Sequence, residues 1–186
     1  MTSMRADVAL VCAMPMEGEA VVRRCGFGEP TVVVVWGPLM VGGVYYAATG
    51  SIPGSVVWAS LPYAILCTTV LMGKHIDKAP WDGPAGTRTL PVILGERRAR
   101  AITRGMFVTF FLATALLVIV GGFPVGTLLV FLAFPMLVRV WRVFGLPKPA
   151  TSPVPNPVWP LWFAPNAFLL TRRAGGLLVL GFVLGV

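Results

Sequence analysis

The chain has 186 residues, of which 56% are hydrophobic and only 12% are charged, and its formal net charge is +8. This much apolar surface exceeds what one soluble core can bury, so a soluble globular domain is excluded and lipid must cover the remainder. The basic residues lie between apolar runs, which indicates orientation in a membrane rather than nucleic-acid binding. Three cysteines, Cys12, Cys25 and Cys67, have no metal-ligand spacing, so neither a disulfide framework nor a zinc site is indicated.

Residues 1–30 form an atypical N-terminal segment. The longest apolar stretch in it, residues 8–14, is too short to cross a bilayer and has charged residues on both sides. This pattern disfavours a cleaved signal peptide. The membrane domain is therefore predicted to cover residues 31–186.

Apolar runs predict the membrane-spanning helices in chain order. The predicted spans cover residues 31–49, residues 55–73, residues 105–121, and a run that follows the turn at residues 122–124 and ends near Val138. The last run, residues 174–186, is short of the normal spanning length and is predicted to be a truncated helix. The predicted fold is all-α, a multi-pass transmembrane bundle of four or five helices, which makes the chain an integral membrane protein.

Basic residues predict the orientation of this bundle. Residues 74–104 contain seven Lys or Arg residues, whereas the turns at residues 50–54 and 122–124 contain none. Since loops rich in Lys and Arg remain on the cytoplasmic side, residues 74–104 and 139–173 are predicted cytoplasmic loops. The many prolines between residues 145 and 165 predict an irregular segment at the membrane surface.

The segment at residues 73–96 carries the groups most suited to chemistry, at the point where a predicted helix meets water. Asp77 and Asp82 suit Mg²⁺, which proteins bind through one or two carboxylates together with phosphate oxygens. Three basic side chains suit the phosphates themselves: Lys74, Lys78 and Arg88. The alternative is a basic loop that only sets topology, with each carboxylate solvated or paired with a lysine.

This segment also resembles a known motif. Asp77, Asp82 and the run Gly86 to Leu90 resemble the second aspartate-rich motif of the UbiA-type intramembrane prenyltransferases, and Trp36 to Gly50 resembles the fifth helix of that superfamily. Members typically have nine transmembrane helices and two such motifs, which hold Mg²⁺ and the diphosphate of a prenyl donor while an acceptor is alkylated. The resemblance covers the C-terminal half of such a protein, helices five to nine.

The resemblance implies a function and its residues. The implied reaction transfers a prenyl group from a polyprenyl diphosphate to an aromatic or other lipid-soluble acceptor. Asp77 and Asp82 would be the catalytic metal ligands, and Lys74, Lys78 and Arg88 would contact the diphosphate. The helices that contain Trp36 and Ser55 would line the isoprenoid channel. Both carboxylates would lie at the mouth of a cavity between these two helices and the helix that begins at Gly105.

The chain departs from the family pattern in three respects. Asp77 and Asp82 are five residues apart instead of four, Lys74 stands where many relatives carry an Asn or Asp ligand, and no first motif of the Asn-Asp-x-x-Asp kind is present. A missing N-terminal half or a second copy of the chain is therefore the expected partner. The alternative is a noncatalytic membrane subunit that retains the scaffold. Half of a transporter is disfavoured because the predicted spans carry no charged residue in their apolar interiors.

Overall fold

The structure is a computed structural model that describes residues 28–153 and 158–185. These residues form helices and no strand, and five of the helices are long and apolar enough to cross a membrane. The prediction of an all-α, multi-pass bundle is confirmed. The predicted N-terminal segment, residues 1–30, lies outside the described residues except for its last three.

Six helices follow one another in the described chain. They are α1 (Gly28–Thr49), α2 (Gly54–Asp82), α3 (Leu90–Leu94), α4 (Glu96–Ile119), α5 (Val125–Gly145) and α6 (Phe163–Leu184). α1 contains a π-helical stretch at Val35–Leu39, where Pro38 lacks the N–H that an α-helix needs. The first part of α5, Val125–Ala133, is a 3-10 helix. All except α3 are the candidate membrane spans.

The helices extend further into the basic segments than their apolar runs predicted. α2 has 29 residues, or about 44 Å at the α-helical rise, whereas the hydrocarbon layer is only about 30 Å thick. The helix ends at Asp82, nine residues beyond the end of the predicted span at residue 73. Apolar side chains indicate only the part of a helix that lies in lipid, whereas its backbone hydrogen bonds can continue into water. α6 begins at Phe163 and has 22 residues, so the prediction of a truncated last helix is wrong.

The centre of the bundle is α2, which packs against α1, α4 and α6. A cluster of phenylalanines fills the space between α4, α5 and the start of α6. The rings of Phe107 and Phe144 lie 5.4 Å apart edge to face, and the rings of Phe144 and Phe163 lie 5.0 Å apart. Phe107, Phe144 and Phe163 are almost fully buried, so this cluster fixes the start of α6 among its neighbours.

Glycines let α6 approach two neighbouring helices at backbone distance. A Cβ added to Gly73 of α2 would lie 2.8 Å from the backbone nitrogen of Ala164, and one added to Gly126 of α5 would lie 2.7 Å from the carbonyl oxygen of Gly181. Small residues of this kind are the usual means by which membrane helices pack closely. Both ends of α6 are thus positioned by contacts that no larger residue permits.

We predict that Gly73→Ala destabilises the bundle by about 1–3 kcal/mol, because the new methyl group collides with backbone atoms that cannot move away like a side chain. The measurement is the free energy of unfolding in mixed micelles of mild detergent and SDS. Gly43→Ala is the matched control, since a Cβ at Gly43 meets no atom within 4 Å. Equal stability of the two variants would contradict the close approach of α2 and α6.

Candidate functional site

The carboxylate of Asp77 holds the N-terminus of α6. Its Oδ2 atom accepts hydrogen bonds from the backbone N–H groups of Trp162 (2.8 Å), Phe163 (2.9 Å) and Ala164 (3.0 Å). The first N–H groups of a helix have no partner within the helix, and the next residue, Pro165, has no N–H. One carboxylate from a distant helix therefore satisfies the whole first turn of α6, where a negative charge also complements the helix dipole.

Lys148 completes the surroundings of this buried carboxylate. Its ammonium group lies 3.8 Å from Oδ1 of Asp77, and it also lies over the rings of Trp81 (5.6 Å) and Trp159 (5.2 Å). Asp77 is only 1% exposed. The lysine thus balances the charge of the carboxylate, while the two indole faces shelter the ammonium group from water.

A second buried carboxylate, Glu29, joins α1 to α2 and α3. Oε1 of Glu29 accepts a hydrogen bond from Nδ1 of His75 (2.8 Å) and another from the backbone N–H of Leu90, the first residue of α3 (3.0 Å). Glu29 is 3% exposed. It therefore closes the end of the bundle that carries the motif, and the role of His75 here is to pack α2 against α1.

An apolar cavity of about 430 Å³ lies between α1, α2 and α6. The residues that define it include Val32, Trp36, Tyr63, Cys67, Lys74 and Phe168. Among the described residues, Lys74 is the single charged one that lines it, at the end where α2 leaves the apolar layer. The predicted helices of Trp36 and Ser55 do line this cavity, but the third wall is α6. Asp77 and Asp82 are not among its lining residues.

Three predicted site residues form a row that continues from the cavity. Lys74, Lys78 and Asp82 follow one another at intervals of four residues on α2, so each is turned only about 40° from the one before. Both lysines are exposed and Asp82 is half-buried. The row therefore leads from the cavity to water and presents two cations and then a carboxylate.

Asp77 lies on a different face of the same helix. Five residues separate it from Asp82, which corresponds to a turn of about 140° around the α2 axis. With four-residue spacing, the two carboxylates would share a face. The structure thus does not bring the two predicted metal ligands together on α2, and it directs Asp77 toward α6.

The two carboxylates differ in how well they suit a Mg²⁺ ion. Oδ2 of Asp77 is occupied by three N–H donors and Oδ1 faces an ammonium group, an arrangement that offers no coordination position without rearrangement. Asp82 suits a Mg²⁺ ion that takes its other ligands from water and phosphate. Among residues 28–153 and 158–185, no group of three or more His, Cys, Asp or Glu side chains is placed to hold a metal ion.

Arg88 lies on the exposed connection between α2 and α3. Gly86 has a φ of +74°, in the left-handed region that favours glycine, and the N–H of Thr87 donates to the carbonyl of Asp82 (2.9 Å). This turn reverses the chain directly after the row on α2. It keeps Arg88 close in sequence to the end of the row, while the side chain stays exposed.

Sequence reasoning missed three residues that shape this end of the bundle: Glu29, His75 and Lys148. Each makes its contact with a residue more than 40 positions away. No local signal singles out the start of α6, because each of the helices α2 to α6 begins without a side-chain cap.

Comparisons with known proteins agree with this architecture. The sequence model of the UbiA prenyltransferase family matches residues 21–153. The 2-carboxy-1,4-naphthoquinone phytyltransferase of Synechocystis sp. is 27% identical over 120 residues, which is 64% of this chain and 39% of that protein. The 1,4-dihydroxy-2-naphthoate octaprenyltransferase of Haemophilus influenzae is 31% identical over 98 residues, 49% of this chain and 32% of that protein. No solved structure matches.

We predict that Asp77→Ala lowers the free energy of unfolding by about 2–4 kcal/mol, because three buried N–H groups and the charge of Lys148 lose their partner. The measurement is equilibrium unfolding in mixed micelles. Asp82→Ala is the matched control and should change stability by less than about 0.5 kcal/mol, as expected for a half-buried surface residue. If Asp77→Ala is as stable as Asp82→Ala, the capping role is wrong.

Proposed function

Because the chain belongs to the UbiA prenyltransferase family, we propose that it forms the prenyl-donor half of a membrane prenyltransferase. The proposed reaction moves a prenyl group from a polyprenyl diphosphate to an aromatic or other lipid-soluble acceptor. The observation that carries this proposal is the apolar cavity that ends at Lys74, beside a row of polar residues. A polyprenyl diphosphate is an apolar chain with a charged end, and the groove formed by this cavity and the row has the same distribution of apolar and charged groups.

The proposal assigns the diphosphate to the lysine row. Lys74 at the cavity end and Lys78 one turn further along α2 would bind the phosphate oxygens, and Arg88 would reach them from the connection to α3. Asp82 would hold the Mg²⁺ ion that bridges to the same diphosphate. Asp77 stays a predicted metal ligand, but its contacts support a positioning role first.

The chemistry requires charge on the departing diphosphate to be neutralised while water is kept from the allylic carbon. Lys74 and Lys78 supply fixed positive charge where negative charge grows as the carbon–oxygen bond breaks. The apolar walls formed by Trp36, Tyr63 and Phe168 exclude water from the allylic cation. Bound Mg²⁺ would add Lewis-acid stabilisation of the same leaving group.

The names of the two relatives support an aromatic acceptor. Both act on naphthalene-derived compounds, and they differ in the prenyl group that their names state. A bicyclic aromatic acceptor is therefore the first candidate for this chain. The aromatic side chain of Trp36 in the cavity wall suits a flat ring, which supports the same choice.

The chain spans between about a third and two fifths of the length of these relatives. A diphosphate with its metal ions needs ligands from several directions, and the row on α2 supplies them from one side. We therefore assign the remaining ligands to a partner, either the N-terminal half of the family fold or a second copy of this chain. The partner would also cover the exposed apolar face of α1.

A noncatalytic membrane subunit is the second candidate function. One observation favours it: Asp77 is committed to the start of α6, so the row on α2 contains a single carboxylate. A scaffold that has lost catalysis can keep a capping carboxylate, because its stability depends on it. Activity of the complete assembly distinguishes the two functions.

We predict that Lys74→Gln and Lys78→Gln each weaken binding of farnesyl diphosphate by about tenfold, because each removes one charge-assisted contact to phosphate. Binding is measured on protein in lipid nanodiscs with Mg²⁺ present. Arg97→Gln is the matched control, since Arg97 is an exposed cation of α4 outside the row. Equal losses in all three variants would point to general charge attraction and against a site on α2.

We further predict that these 186 residues alone do not transfer a prenyl group, because the row leaves most coordination positions to water and the site open on one side. The assay supplies Mg²⁺, a prenyl diphosphate and a panel of aromatic acceptors to protein in lipid, with and without a polypeptide that carries the first aspartate-rich motif. Turnover by the chain alone that disappears in Asp82→Ala would contradict this and imply a site rebuilt by two copies.

A further inference from the structure

A second apolar cavity, of about 330 Å³, lies at the opposite end of the bundle. The residues that define it include Val41, Tyr45, Val56, Ala59, Tyr63 and Phe182. They come from α1, α2 and α6, the same three helices that form the first cavity. None of the lining residues in the part of the chain that the structure describes is charged.

The two cavities follow one another along the same groove. On α2 the first cavity extends from Lys74 to Tyr63, and the second continues from Tyr63 to Val56. On α6 the first cavity ends at Thr171 and the second begins at Leu178. Within residues 28–153 and 158–185, Tyr63 is the single residue that lines both cavities, so its side chain stands between them.

Contacts on either side explain why the division falls at Tyr63. A Cβ added to Gly175 of α6 would lie 3.1 Å from Cε2 of Tyr63, so the tyrosine ring reaches the backbone of the facing helix. A Cβ added to Gly37 of α1 would lie 2.9 Å from Cβ of Ala64, so α1 and α2 also approach closely at this level. The groove is thus narrow here and wider on both sides.

We infer that one prenyl chain occupies this groove and that Tyr63 limits its length, an inference that rests on the proposed function. The diphosphate end lies at Lys74, the chain fills the first cavity, and the second cavity is a distal subsite for the isoprene units furthest from the diphosphate. The groove suits this occupant because it is charged at one end and mostly apolar along the rest. The first cavity extends about 16 Å along α2 and the second about 10 Å more.

The ring of Tyr63 would separate short prenyl donors from long ones. A chain that ends before the ring buries all its carbon atoms in the first cavity. A longer chain must displace the ring from Gly175 or fold back, so its additional carbon atoms contribute little to affinity. Removing the ring joins the two cavities and lets each added isoprene unit bury apolar surface.

The test measures binding of geranyl, farnesyl, geranylgeranyl and solanesyl diphosphates to the full chain in lipid nanodiscs. In the wild type, affinity should rise with chain length and then stop rising. In Tyr63→Ala, affinity should keep rising over at least one further length, with a gain of about tenfold for the longer donor. Tyr63→Phe keeps the ring and should behave as the wild type.

Three further variants serve as controls for the role of Tyr63. Trp58→Ala removes an aromatic side chain that lies on the exposed surface of α2 and lines neither cavity, so it should leave the length profile unchanged. Ala59→Phe, added to Tyr63→Ala, fills the distal subsite and should cancel the gain. Tyr63→Leu, which preserves packing bulk but lacks the ring that reaches Gly175, replaces Tyr63→Ala if that variant does not fold.

The outcomes separate the two proposals. If no prenyl diphosphate binds to any variant, the proposed function is wrong. If prenyl diphosphates bind and the length profile is the same in wild type, Tyr63→Ala and Tyr63→Leu, the proposed function stands and the length-limiting role of Tyr63 is wrong. Equal competition by a phospholipid that lacks a diphosphate would make the groove a lipid acyl-chain site and overturn the inference.

Discussion

The hydrogen bonds from the start of α6 to the Asp77 carboxylate determine where the third wall of the cavity stands. Without them, the first turn of α6 would leave three N–H groups unsatisfied at the edge of the bilayer, where such groups cost several kcal/mol. Gly73 lets the start of α6 lie close to α2. Asp77, one turn later on the same face of α2, accepts the hydrogen bonds that stabilise this contact. Together with the close approach of Gly126 and Gly181 at the other end of α6, this junction positions the residues that α6 contributes to the groove, from Ala164 to Phe182.

Two faces of α2 have different roles. One face is directed toward α6 and holds the fold, through Gly73 and Asp77. The neighbouring face lines the groove and then continues as the row of Lys74, Lys78 and Asp82, which the proposed function uses for the diphosphate. Because the two faces belong to one helix, the contacts that hold α6 also help to position the charged row.

The end of the bundle that carries the motif is built from helix N-termini and buried carboxylates. Glu29 accepts from the first N–H of α3, as Asp77 does from α6, and each carboxylate has a basic partner, His75 in one case and Lys148 in the other. In each carboxylate the hydrogen-bond donors meet one oxygen, and they offset part of the cost of burying its charge. The turn that carries Arg88 is therefore anchored on both sides, by α2 before it and by α3 after it.

The sequence by itself determined the class of the protein. Apolar runs set by the thickness of the bilayer predict the spans, and the motif from Asp77 to Leu90 indicates the family, because both signals are local along the chain. Helix ends were predicted less well: α2 continues to Asp82 and α6 begins at Phe163, since hydropathy reports lipid contact and not backbone hydrogen bonding. Only the tertiary structure decided the role of Asp77, the partners of Glu29 and Lys148, and the place of Tyr63 between two cavities. Each of these depends on residues brought together from distant helices, and no local pattern encodes such a contact.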